Sequence, residues 1–280
     1  MIPYDLVYLR PSDAGQAVQL FERTRADGLE PAYYAGGTEI LSFTRRNKIR
    51  PGALIDIKQI PECRAVGRQG DRIIFGAALT LNEVIEADLF ALLSAACRRI
   101  ADHTVRNRLT LGGNICGRLP YRESVLPLLV SEAEAQITGP GGCRWESLGM
   151  LFGRRLRLQP GELLLRVRVG RDAAHGPAFH GRRQRGTRVD YPLVTCCLLE
   201  VDREIRLAVG GACGYPVRDP EAEKSLNDSA LQRRQRIEQV VARYAPQIRS
   251  DSRASSEYRS FLFSRILTEA ADRLMGDDVR

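Results

Sequence analysis

Lysine is almost missing from this chain of 280 residues. It occurs only at Lys48, Lys58 and Lys224, so arginine carries nearly all the positive charge behind a formal net charge of +8. The arginines are spread along the chain, with one dense stretch at "GRRQRGTR" (181–188). That stretch has no interleaved aromatics on which bases could stack, which argues against nucleic-acid binding. No apolar run approaches the ~20 residues of a membrane span. The N-terminus "MIPYDLVYLRPSD" lacks a basic segment followed by an apolar one, so no secretion signal is expected and the expected location is cytoplasmic. His103, His175 and His180 are the only histidines and are not spaced as a metal site. Cysteine stands at seven positions, an odd number, and never as C-x-x-C. A disulfide framework, a structural zinc and a thiolate-held iron–sulfur cluster are therefore not expected on this chain. The thiols read as small apolar core groups. Two nucleotide signatures are also missing: no G-x-G-x-x-G follows a strand, and no G-x-x-x-x-G-K-[ST] occurs.

What is present is ordinary globular material. The apolar fraction is 44%, and the length allows one large domain or two moderate ones. Ser12 or Asp13 is placed to cap a helix with Ala17, Val18, Leu20 and Phe21 on its apolar side, ended by Gly28. "PAYYAGG" reads as a strand running into a glycine turn, and "ALIDI" as a second strand. "DRIIFGAALTLNEVI" reads as a strand followed by a capping box, Thr80 with Glu83. "LFALLSAACRRIADHTV" reads as one helix, and "ELLLRVRV" alternates as a strand. A polar, turn-rich stretch, "RDAAHGP", marks a domain boundary near residue 175. Beyond it, "YPLVTCCLLEV" and "EIRLAVGGACGYPVR" read as an antiparallel pair. Two helical stretches then close the chain.

Two double-glycine loops are the informative feature. The first is Ala35-Gly36-Gly37-Thr38-Glu39, and the second is Thr110-Leu111-Gly112-Gly113-Asn114. Glycine lets backbone N–H groups approach a ligand closely, and runs of such groups bind anions. Thr38, Thr110 and Asn114 add side-chain donors. Each loop alone reads more readily as an ordinary turn; together they suit a diphosphate, which needs donors on both phosphates. Glu39 would repel a diphosphate, so its carboxylate is expected to point away or to pair with an arginine.

In order along the chain stand "YYAGGTEIL", "LIDI", "HTVRNRLTLGGNI", "RVDYPLV", "RLAVGGACGYPVR" and "ASSEYRSFL". This set resembles the FAD-binding (medium) subunit of the molybdenum hydroxylases, the xanthine dehydrogenase and carbon monoxide dehydrogenase family, over nearly the whole chain. The resemblance implies an α+β fold: an FAD-binding domain of the vanillyl-alcohol-oxidase (PCMH) type over 1–175, with two α/β subdomains (about 1–57 and 58–175). A smaller C-terminal α+β domain over 176–280, with a short antiparallel sheet and helices, is implied to follow.

The resemblance also implies a cofactor, FAD, and a set of contacts. Tyr33, Tyr34, Ala35, Gly36, Gly37, Thr38, Glu39 and Ile40 fall on the family's diphosphate loop. Thr110, Gly113 and Asn114 fall on its second loop. Ile100 and Leu164 fall on apolar positions flanking FAD. Glu123 stands where the family usually has Asp. Arg182, with His180 as the alternative, matches a family Lys. Asp190 and Tyr191 fall near the flavin ring. The family has acidic-Pro soon after the second loop, whereas this chain has Leu119-Pro120. No catalytic or metal residue is implied on this chain. The implied function is electron transfer from [2Fe–2S] clusters on a small subunit, through FAD, to NAD⁺ or another acceptor, with molybdopterin on a large subunit. A flavin-free scaffold subunit of the same complex, or an arginine-rich nucleic-acid-binding protein, stands as the alternative.

Overall fold

The computed structural model describes residue 2 and residues 4–186 and 189–275. Thr187 and Arg188, part of the arginine-dense stretch, lie outside the described residues. The chain divides into two compact units. One comprises Met1–Asp88, His103–Arg118 and Ala133–Val169; the other comprises Leu89–Asp102, Leu119–Glu132 and Gly170–Arg280.

In the first unit, β1 (Val7–Leu9), β2 (Pro31–Tyr34) and β3 (Ala53–Asp56) form a parallel sheet in the order β1-β3-β2. Parallel neighbours need crossover connections, and the helices Ala14–Ala26 and Thr38–Arg45 supply them. The first starts where the residues dictate: Asp13 is extended, and its carboxylate accepts from the N–H of Gln16 at 2.8 Å.

A second sheet in the same unit has the order β4-β5-β8-β6-β7. Its strands are β4 (Val66–Gln69), β5 (Arg72–Gly76), β6 (Glu134–Gly139), β7 (Gly142–Ser147) and β8 (Leu163–Gly170). Alternation in β8 buries Leu163, Leu165, Val167 and Val169 and leaves Arg166 and Arg168 half-exposed. Leu163 and Leu165 join Ala17, Ile55, Ile57, Ile60 and Cys63 in one core, so both sheets share it. The capping box is formed: Thr80 Oγ1 accepts from the N–H of Glu83, and Glu83 accepts from the N–H of Thr80 at 2.7 Å.

In the second unit, β9 (Ala178–Gln184), β10 (Pro192–Val201), β11 (Glu204–Gly210) and β12 (Val217–Arg218) form an antiparallel sheet, order β12-β11-β10-β9. The helix Ser256–Leu274 lays Leu262, Phe263, Ile266, Leu267 and Ala270 into its core. The helix Arg233–Tyr244 adds Ile237, Val240 and Tyr244. Each such large apolar side chain contributes about 1.5–3 kcal/mol by leaving water. Arg259, fully buried, donates to the carbonyls of Leu193 (2.7 Å) and Gly211 (3.0 Å) and to Asp251 (2.7 Å), pinning the closing helix to two strand ends.

The expected single helix over 89–105 is two, Ala91–Arg98 and His103–Arg106, because Ala101 takes a left-handed φ of 50° between them. Cys63, Cys97, Cys196, Cys197 and Cys213 are buried free thiols, while Cys116 and Cys143 are exposed. Burial pushes the Cys63 thiol up to about 12. Among the described residues no helix is long and apolar enough to cross a membrane, and no cluster of His, Cys, Asp and Glu could hold a metal ion. Many arginines serve in ion pairs, among them Arg144–Glu162 at 2.6 Å, Arg168–Glu134 at 2.8 Å and Arg218–Glu223 at 2.8 Å.

Candidate functional site

The first glycine loop leaves the carboxyl end of β2 and enters the helix Thr38–Arg45. Gly37 is the N-cap, at φ 71°, a conformation that costs a side-chain-bearing residue about 1–2 kcal/mol. It has no side chain with which to cap the helix. Among the described residues no oxygen accepts from the N–H groups of Gly36, Gly37 or Thr38. First-turn N–H groups lack intrahelical acceptors and lie at the positive end of the helix dipole, so this end is built to take an anion.

The second loop runs into the helix Leu111–Cys116 and is arranged differently. Its N–H groups are already used. Leu111 donates to Leu79 O, Gly112 to Ala77 O and Asn114 to Thr110 O, each at 2.8 Å. Gly113 donates to Thr110 Oγ1 at 3.2 Å. What this loop presents outward is the exposed Gly113 and the half-buried Asn114, while Thr110 is a buried cap.

The glycines answer to protein atoms. A Cβ on Gly36 would run into the carbonyl of Arg108, 2.9 Å from its carbon, and lie 3.4 Å from Thr110 Cγ2. One on Gly37 would lie 2.6 Å from Cζ and Oη of Tyr34, and one on Gly112 2.6 Å from Ala77 Cβ. Gly36 is therefore the point where the two loops touch. Glu39 ties them a second time: both of its carboxylate oxygens accept from the N–H of Arg118, each at 2.9 Å. The acid in the first loop thus faces the backbone beyond the second.

Of the other residues in this unit, Tyr33 turns into the core, stacking on Phe21 at 5.1 Å and donating to Gly161 O at 2.8 Å. Ile40 is half-buried on the first loop's helix, and Leu164 is buried on β8.

The second unit holds Ile100, Glu123, Arg182, Asp190 and Tyr191. Ile100 is half-buried. Arg182 grips Glu123 with two N–H groups, at 2.7 and 3.2 Å, and donates to the carbonyl of Asp190 at 2.7 Å. Burial pushes the Glu123 carboxyl up, and Arg182 only partly offsets it. His180, beside Thr195 Oγ1 at 3.2 Å, is pushed down to about 4 by burial and by the charges of Arg182 and Arg99. Asp190 receives Arg253 at 2.6 Å and the N–H groups of Gly186 and Tyr191, which hold its carboxyl below the usual range. Tyr191 is exposed and stacks on Tyr121 with ring centroids 4.2 Å apart, Arg253 lying 5.9 Å from its ring. Tyr121, Arg253, Lys58 and Arg118 were not singled out from the sequence. Only Lys58 carried a signal, as one of three lysines and two residues beyond "LID".

An uncapped helix N-terminus with open backbone donors, locked against a second loop that presents Asn114, fits the diphosphate of a dinucleotide cofactor. No G-x-G-x-x-G turn leads from any of these strands into a helix, so the site is not that of a G-x-G-x-x-G dinucleotide fold.

Residues 3–171 match the family described as the FAD binding domain in molybdopterin dehydrogenase, and residues 182–274 match the CO dehydrogenase flavoprotein C-terminal domain. The chain belongs to this family, as an FAD-binding oxidoreductase subunit of the molybdenum hydroxylase class. It is similar to the carbon monoxide dehydrogenase medium chain of Hydrogenophaga pseudoflava, 31% identical over 60% of each chain. It is also similar to a putative xanthine dehydrogenase FAD-binding subunit of Escherichia coli K12, 29% identical over 94% of this chain and 95% of that one. Among solved structures, carbon monoxide dehydrogenase from Hydrogenophaga pseudoflava superposes with a TM-score of 0.86 at 25% identity, over 98% of this chain and 99% of the other. The expected α+β architecture and family are both met.

Proposed function

We propose that this chain is the electron-transfer flavoprotein of a heteromeric molybdenum hydroxylase, working with a molybdopterin-binding large subunit and a [2Fe–2S] small subunit. The observation that carries the reading is the pair of interlocked glycine loops in a chain whose relatives are medium chains and FAD-binding subunits. FAD, when bound, would supply the conversion of single electrons from the clusters into pairs for NAD⁺ or another acceptor.

The chain's own residues bind and orient. Gly36, Gly37 and Thr38 would offer backbone N–H groups to the diphosphate, and Asn114 a side-chain amide. Glu39 and Thr110 would hold the loops in shape, with Tyr33, Tyr34 and Ala35 leading into the first and Ile40 and Gly113 beside them. Ile100 and Leu164 would be apolar neighbours of the cofactor. Glu123, Arg182, Asp190 and Tyr191 would form one hydrogen-bonded group toward the flavin ring, with Arg182 relaying the buried Glu123 to the Asp190–Tyr191 turn. In this reading 1–175 is the FAD-binding domain and 176–280 the C-terminal domain.

The test is isolation of the native complex through a tag on this chain. Two further subunits, molybdenum, iron and FAD are expected together. A chain purified from its own cells without either metal or either partner would refute the reading.

A further inference from the structure

The carboxyl end of the parallel sheet carries a fixed cation next to the first glycine loop. Asp56 closes β3 and is 4% exposed. Its carboxylate accepts from the Tyr8 hydroxyl, from the N–H of Lys58 at 3.0 Å and from Lys58 Nζ at 2.8 Å. Burial works to raise the Asp56 carboxyl, but the hydrogen bonds from Lys58 and Tyr8 outweigh it and hold the group below the usual carboxylate range. A charged, buried carboxylate therefore anchors the lysine.

The ammonium is also tied to the loop itself. Lys58 Nζ lies 3.4 Å from the carbonyl of Ala35, the residue immediately before the double glycine, and 4.5 Å from the centroid of the Tyr34 ring. That ring is the surface on which Gly37 packs. Lys58 thus contacts both residues that lead into the loop, while its side chain remains 41% exposed. Arg10, 5.3 Å from the Tyr8 ring centroid, adds a second positive charge on the neighbouring strand end. Glu39, the acid nearest in sequence, has its carboxylate on the N–H of Arg118.

We infer that Lys58 is a positioning residue for the cofactor's diphosphate: it fixes the entry to the first glycine loop and places one positive charge beside it. The inference rests on the reading that this loop holds the diphosphate. An ammonium has three N–H donors, and Asp56 and Ala35 engage two of them. The third donor remains for a phosphate, and Asp56 offsets only part of the ammonium's charge.

The experiment titrates the full chain with FAD, following flavin fluorescence, for wild type, Lys58→Gln and Lys58→Arg, at low and high salt. Glutamine can still donate to Asp56 but carries no charge, so the fold is kept while the charge is removed. Melting of the unliganded chains checks that the fold is intact. Lys58→Gln is expected to bind FAD about 10-fold more weakly at low salt, the difference shrinking at high salt, with Lys58→Arg restoring most of it. ADP should compete with FAD for the wild type and more weakly for Lys58→Gln. Wild-type affinity in Lys58→Gln, or a loss that salt does not change and arginine does not restore, overturns the inference. Failure of the wild-type chain to bind FAD overturns the reading of the loop, and the inference with it.

Discussion

Replacing Gly36 by alanine isolates the contact between the two loops. The added methyl would sit 2.9 Å from the carbonyl carbon of Arg108 and closer still to its oxygen. Ordinary carbon–carbon contact begins near ~3.5 Å, so that carbon alone asks the loops to part by roughly 0.6 Å, and the nearer oxygen asks for more. The obstructing group is backbone, not the far end of a flexible side chain. Overpacking of this kind costs about 1–3 kcal/mol. If the cofactor needs both loops in register, that cost appears as roughly 5- to 150-fold weaker FAD binding. The assay is FAD titration of the purified chain, with thermal melting alongside. Gly141→Ala is the control, because nothing lies within 4 Å of its added methyl. It should bind FAD as the wild type does. Wild-type affinity in Gly36→Ala would refute the argument that loop-to-loop packing builds the site.

Other substitutions probe the second unit. Arg182→Met strands Glu123, whose side chain is 5% exposed, and should destabilise the protein by about 3–5 kcal/mol in urea unfolding. The double variant Glu123→Leu/Arg182→Met should recover most of that loss; no recovery would mean the pair is not what stabilises the region. His180 titrates near 4 in the fold against an ordinary 6.5, so the unfolded chain binds its proton first and stability falls as pH drops from 6.5 toward 4. The loss should reach about 2 kcal/mol at pH 5, and His180→Gln should flatten that part of the profile. Tyr191→Ala should leave FAD content near normal while shifting the flavin spectrum or the rate with NAD⁺. A variant unchanged in both would remove Tyr191 from the ring side.

Elements with a local signature were legible in the sequence. The Asp13 cap, the Thr80–Glu83 box and the alternation of β8 each depend on residues a few positions apart. Strands that carry charge inward were not. β9 reads "AFHGRRQ", yet Arg182 is buried because Glu123, 59 residues away, neutralises it. β6 and β7 were also missed: Glu134 and Gln136 look like loop residues until Arg168 and Arg166 are seen opposite them.

The site divides in the same way. The two glycine pairs announce themselves by composition. Their true constraints, the Arg108 carbonyl against Gly36 and the Arg118 N–H on Glu39, join segments 70 or more residues apart. The sequence also suggested two equivalent loops. The structure distinguishes them, because the N–H groups of the second are consumed by the segment around Ala77 and Leu79 and by the Thr110 cap.

The central claim is that this chain holds FAD through those loops, and the most direct measurement is its flavin content. The full chain, purified and mixed with FAD, is passed through gel filtration and scanned in the visible range. A yellow protein with close to one FAD per chain, lost in Gly36→Ala and kept in Gly141→Ala, is the expected result. A colourless wild-type chain that takes up no added FAD would contradict the account.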